Sequence, residues 1–153
     1  MSYKIFIHYK VMDSFFNETK LFGLKETGGV LIGYRVGNEF VITDNTGPGP
    51  NAKHQLLHFE RDVDYCNNKI EEIFEQSNGG LNYLGEWHTH PLGKPVPSPQ
   101  DNKSMFEISE TDSYQNDCPL LIIVRKKRND ISIGTFIYLN SKRKKLDYII
   151  YEE

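Results

Sequence analysis

A chain of 153 residues that is 38% hydrophobic and 25% charged has the size and make-up of one globular domain around a single core, and this excludes a disordered tail. A net charge of −3 and a pI near 6.0 give no global attraction to nucleic acid or to an anionic membrane. No apolar run approaches the roughly 18 residues of a membrane span, and MSYKIFIHYK lacks the apolar core and cleavage site of a signal peptide. The expected location is the cytoplasm. Cys66 and Cys118 have no CxxC spacing and are expected to be reduced and structural.

Tyr3 to Tyr9 is rich in aromatic and β-branched residues and predicts a first strand, with His8 on its face. Apolar Val11, Phe15 and Phe22 predict an amphipathic helix that Gly23 stops. Glu26-Thr27-Gly28-Gly29 leads into Val30 to Arg35, apolar enough for a central strand, and a turn at 36–38 joins it to Glu39 to Asp44 as a hairpin. NTGPGPN at 45–51 is loop. Lys53 to Phe59 alternates like a strand; its His54 and His58 have no HExxH context and are read as structural. Arg61 to Gln76 predicts a second helix, ended by SNGG, and Leu81 to His88 a further strand. A short polar helix from Pro99 to about Ile108 and an acidic connection from Ser109 to Asp117 follow. Strands are expected at Pro119 to Val124, Ile131 to Leu139 and Lys144 to Tyr151. The clusters Lys126-Lys127-Arg128 and Lys142-Arg143-Lys144-Lys145 read as solvated turns and edge protection, with contact to an acidic partner as the alternative. The pattern predicts one α/β domain, residues 1–153, on a mixed sheet.

Chemistry concentrates in Gly85 to Asp101, GEWHTHPLGKPVPSPQD. Side chains at i and i+2 of a strand point the same way, so His88 and His90 present both imidazoles to one site while Thr89 turns away. Pro91 ends the ladder, and the stiff loop to Pro97 brings back a helix whose start is written in Ser98 as N-cap, Pro99 at the first position and Asp101. Asp101 lies at the positive end of that helix and stays ionised, as a metal ligand must. Two imidazoles and one carboxylate leave the fourth position of a tetrahedral zinc free, which is the pattern of a catalytic site. Taken singly, the histidines read as ordinary strand residues and Ser98 with Asp101 as a helix start; their conjunction carries the metal reading. By the same period of two, Glu86 shares the face of the histidines and competes for the role of ligand, base or supporting partner.

Glu26, then His88-Thr89-His90, seven residues, Ser98, two residues and Asp101 resembles the JAMM motif of the MPN/JAB metallopeptidases. The resemblance implies a cytidine-deaminase-like mixed sheet flanked by helices, zinc on His88, His90 and Asp101, Glu26 as general base and Ser98 as oxyanion support. ETGGVLIG, TGPGP, FERD and YLGEWHTHP are most similar to the compact bacterial JAB deconjugases of CBASS antiphage operons. That implies a zinc isopeptidase. Its substrate would be a ubiquitin-like or conjugated protein, such as a cGAS-like nucleotidyltransferase, joined through its C-terminal tail to a target lysine by E1/E2-like enzymes. A related ubiquitin-like antiphage system is the alternative setting. A zinc hydrolase of carrier adducts or small molecules and a non-catalytic MPN scaffold are the alternative functions.

Overall fold

Alternation shapes the first strand of this computed structural model, which describes residues 2–153. In β1 (Lys4–His8), Ile5 and Ile7 are fully buried on one face. His8 ends the strand and caps α1 (Tyr9–Phe22), its Nδ1 accepting the Lys10 N–H at 3.1 Å, so the helix starts two residues before the apolar spacing suggests. α1 buries Val11, Phe15 and Thr19, and Gly23, at φ +59°, stops it by donating its N–H to the Thr19 carbonyl. β2 (Gly28–Val36) and β3 (Glu39–Asn45) form the expected hairpin, with the first six residues of β2 buried.

Three local expectations are corrected. Lys53 to Phe59 is not one strand: β4 (Lys53–His54) and β5 (Phe59–Glu60) form a small separate hairpin closed by the Gln55 N–H on the His58 carbonyl. The second helix, α2 (Val63–Gln76), starts two residues later than expected because Asp62 takes the N-cap, accepting the Tyr65 N–H, and Arg61 is left outside. After β6 (Asn82–Thr89), α3 (Pro99–Glu110) runs two residues further than expected, and the connection behind it contains a 3-10 turn at Asp112–Tyr114. β7 (Leu120–Lys127) and β8 (Asp130–Leu139) pair as a long hairpin.

The larger correction concerns the end of the chain. Lys144 to Tyr151 is two strands, β9 (Lys142–Leu146) and β10 (Tyr148–Tyr151), so the second basic cluster lies within a strand rather than at a strand end. The main sheet runs β10-β1-β3-β2-β6-β7-β8-β9, which puts β9 and β10 at opposite edges although only Asp147 separates them. One residue spans only a few ångströms. The sheet must therefore curl until its two edges meet, and α1 lies in the hollow against β1, β3, β7 and β8. One core, around Phe15, Trp87 and Ile122, fills that hollow; the second, around Cys66, Met105, Ile123 and Tyr138, joins the outer face to α2 and α3. No helix among the described residues is long and apolar enough to cross a membrane.

Candidate active site

The cleft lies on the outer face, where β6 ends and α3 begins. His88, His90, Asp101, Glu26 and Ser98 all line it, together with Glu86, in a space of about 460 Å³. β6 pairs with β7 in regular parallel register from Gly85 to Thr89, so the period-two argument holds: His88 and His90 face the cleft and Thr89 is buried behind it.

Asp101 reaches both histidines. His88 Nε2 lies 3.1 Å from its Oδ1, and His90 Nε2 lies 3.1 Å from its Oδ2. The helix start fixes the carboxylate: the Ser98 N–H donates to Asp101 Oδ2 at 2.8 Å, while Ser98 Oγ accepts the Asp101 N–H at 3.1 Å, a reciprocal capping box. His90 is oriented by its other nitrogen, since Nδ1 donates to the Lys94 carbonyl at 3.3 Å and thereby leaves Nε2 as the lone-pair atom. His88 Nε2 is buried and makes no hydrogen bond despite its closeness to Asp101. A buried nitrogen aimed at a carboxylate without the alignment of a hydrogen bond fits a cation between them. One donor atom from each of His88, His90 and Asp101 lies within 4.8 Å of the others, so these residues can hold a metal.

The charges respond to this crowding. Burial alone would raise the Asp101 carboxyl, but the two imidazoles and the Ser98 N–H hold it well below the usual carboxylate range. For His90, burial works against the charged form and the nearness of Asp101 outweighs it, so its pKa is raised. Glu26 is 9% exposed; burial pushes its carboxyl up against the opposing pull of His88 and His90.

Glu26 comes from far along the chain, and three ties bring it there. The Thr27 N–H donates to Thr89 Oγ1 at 3.0 Å and the Thr89 N–H donates to the Thr27 carbonyl at 2.8 Å, lashing the start of β2 to the end of β6. Gly28 sits opposite His88, where a Cβ would lie 2.2 Å from the Trp87 carbonyl oxygen and 2.7 Å from His88 Cβ, so only glycine lets the strands approach. The β4–β5 hairpin holds the backbone of Glu26 itself: its N–H donates to the Gln55 carbonyl at 2.8 Å, and its carbonyl accepts from His54 Nδ1 at 3.0 Å. His54 stacks on Phe22 with centroids 3.8 Å apart, so it supports the backbone of Glu26, whereas His58 lines the cleft itself.

Glu86 lines the cleft but is already engaged. Arg61 Nε donates to its Oε1 at 2.8 Å and Nη2 to its Oε2 at 3.4 Å, and the Tyr83 hydroxyl donates to Oε2 at 2.5 Å. Tyr83 and Glu86 share a side, contrary to simple alternation, because of a bulge: Leu31 pairs with Gly85 but Ile32 with Tyr83, and Leu84 is passed over. Thr89 and Arg61 are the supports that sequence reasoning misses; their partners lie 62 and 25 positions away, and no local pattern marks either.

A donor set of this kind at the wall of a cleft open to substrate belongs to the metal-dependent hydrolases. Residues 10–136 match the family described as prokaryotic homologs of the JAB domain, and the chain belongs to that family and is a hydrolase of the JAMM type. It is similar to a CD-NTase/cGAS isopeptidase of Escherichia coli, 40% identical over 121 residues that span 78% of this chain and 73% of that protein. A CD-NTase/cGAS isopeptidase of Vibrio cholerae is 38% identical over 102 residues, 67% of this chain and 63% of that protein. The solution structure of the protein DSY2949 from Desulfitobacterium hafniense matches in fold, with a TM-score of 0.73 over 97% of this chain and 94% of that one at 18% identity.

Proposed function

We propose that the chain is a zinc-dependent isopeptidase. It hydrolyses the amide between the C-terminus of a CD-NTase, or of a ubiquitin-like protein, and a target lysine, and so reverses the work of E1/E2-like conjugating enzymes in a cytoplasmic CBASS antiphage system. The observation that carries the reading is the meeting of a buried, unbonded His88 Nε2, His90 and Asp101 with Glu26 in one cleft. The names of the relatives supply the substrate.

His88 Nε2, His90 Nε2 and an Asp101 oxygen would hold the metal, with the Lys94 carbonyl and the capping box keeping two of the three oriented. Zinc, when bound, supplies a Lewis acid that acidifies water and polarises the scissile carbonyl. Glu26 takes the proton from the attacking water and delivers it to the departing lysine amine. Its low exposure and raised pKa make it a stronger base than a solvated glutamate. The Ser98 hydroxyl accepts from the Asp101 N–H and has its own proton free to donate to the oxygen that gains charge.

The test is incubation of a CD-NTase–lysine conjugate with protein purified without chelators and assayed for metal by mass spectrometry. Release of an intact C-terminus, lost in Glu26→Gln with zinc content unchanged, is the expected result. Turnover of small amides with the conjugate untouched would overturn the substrate assignment, and a Glu26→Gln enzyme of full activity would overturn the base.

A further inference from the structure

Charge is distributed very unevenly along this acidic chain. Between residues 125 and 145 lie eight of its 18 lysines and arginines but one of its 21 acidic residues, so this segment carries +7 and the remainder −10. Edge protection explains half of it, because β9 is an edge strand and lysines there block pairing with other chains. The same role is open to Arg125, Lys126, Lys127 and Arg128, since β7 pairs with β6 only up to Val124 and β8 with β9 only from Thr135, but it gives no reason for four consecutive cations at the tip of the ribbon. All four are exposed, and none takes part in an ion pair among the described residues. Lys127 faces Asp130 in register, yet Asp130 Oδ1 accepts the N–H of Ile131 instead. Consecutive like charges repel, and Arg128 holds a turn position at φ +56° that glycine or asparagine fills with less strain. The tip is therefore charged at a cost to its own stability.

Its place beside the cleft gives that cost a use. The His90 N–H donates to the carbonyl of Val124, so Arg125 is the next residue beyond the metal-ligand strand's last tie. The basic tip extends past Val124, the last residue of β7 that pairs with the strand carrying the site.

We infer that the β7–β8 hairpin tip is a docking surface for an acidic face of the folded protein whose C-terminal tail enters the cleft. The proposal rests on the isopeptidase reading for the identity of that protein; binding to acidic polypeptide is independent of it. An acidic partner is repelled by the −10 of the remainder and attracted by the basic tip, whose place next to the end of the metal-ligand strand orients its tail toward the metal site.

The experiment compares wild type, the variant Arg125→Gln/Lys126→Gln/Lys127→Gln/Arg128→Gln, and a control with the same change at Lys142, Arg143, Lys144 and Lys145. A fluorescein-labelled glutamate-rich peptide is the binding probe, read by anisotropy, and thermal melts verify folding. Expected are peptide binding that weakens about tenfold in the hairpin variant, little change in the β9 control, and loss of wild-type binding as NaCl rises from about 50 to about 300 mM. With a CD-NTase–lysine conjugate, KM should rise by a similar factor at unchanged kcat, while a short isopeptide is cleaved equally by all three. Equal peptide binding by wild type and hairpin variant would overturn the proposal, as would tighter binding of a labelled DNA duplex at the same salt. Peptide binding without any conjugate cleavage would leave the docking surface standing and count against the isopeptidase reading alone.

Discussion

Replacing Arg61 by leucine tests whether the cleft wall depends on the buried pair it makes with Glu86. The two side chains are 10% and 15% exposed, so Glu86 would lose its bidentate cation in a place water hardly reaches. Breaking a buried pair by removing one partner costs about 3–5 kcal/mol. The retained Tyr83 hydroxyl and the residual exposure put this case at the lower end, about 3 kcal/mol. The second half of the prediction is the sharper one. Changing both residues, Arg61→Leu with Glu86→Met, removes two desolvated charges together and should recover most of the loss, to within about 1 kcal/mol of wild type. Urea unfolding of the four proteins in chelator gives the double-mutant cycle directly, free of any contribution from bound metal. A single variant that loses less than about 1 kcal/mol would show the pair to be solvated and marginal. A double variant as unstable as the sum of the singles would show that Arg61 and Glu86 act through separate contacts.

Glu26→Gln keeps the shape of the cleft and should lower turnover by about 100-fold or more, with zinc content unchanged by mass spectrometry. Gly28→Ala forces a methyl group onto the Trp87 carbonyl and should destabilise the protein by about 3 kcal/mol, read from denaturant midpoints. In metal-free protein the His90–Asp101 pair stabilises the fold within a window. The Asp101 pKa is lowered from 3.8, so its contribution is present above that value and lost as pH falls; the His90 pKa is raised from 6.5, so its contribution is full below that value and lost as pH rises through the raised one. Thermal melts in chelator should therefore show stability falling as pH rises above about 6.5, a dependence reduced in Asp101→Asn. Zinc affinity should move the opposite way, rising over the same range as His90 sheds its proton, and competition with a fluorescent chelator measures it.

The sequence makes the metal donors legible because the elements holding them are regular where it matters. β6 alternates cleanly from Gly85 to Thr89, and Ser98, Pro99 and Asp101 each occupy the helix position their chemistry favours. Legibility ends where a distant neighbour decides. Tyr83 faces Glu86 only because Leu84 is passed over in the pairing with β2, and a bulge set by the opposite strand leaves no mark in the alternation. Lys144 to Tyr151 reads as one strand because its residues suit extended structure throughout; closing the curled sheet divides it at Asp147 and sends the halves to opposite edges. Arg61 reads as helical by position, but the better N-cap next to it, Asp62, sets it free to reach Glu86.

The same distinction separates the metal donors from the base in how each can fail. His88, His90 and Asp101 fall within 14 consecutive residues, and the ties of Asp101 and His90, to Ser98 and Lys94, are local. Glu26 depends on contacts from two other parts of the chain: the Thr89 ties that dock β2 on β6, and the Gln55 and His54 bonds that dock the small hairpin on Glu26. Thr89→Val removes a buried hydroxyl that receives the Thr27 N–H and costs about 1–3 kcal/mol where that donor goes unpaired. Because the side chain of Thr89 points away from the metal donors, its loss should slow turnover through a displaced Glu26 while metal content stays near that of wild type. If Thr89→Val lost zinc in proportion to activity, the donors and the base would be one structural unit, and the separation drawn from these hydrogen bonds would be wrong.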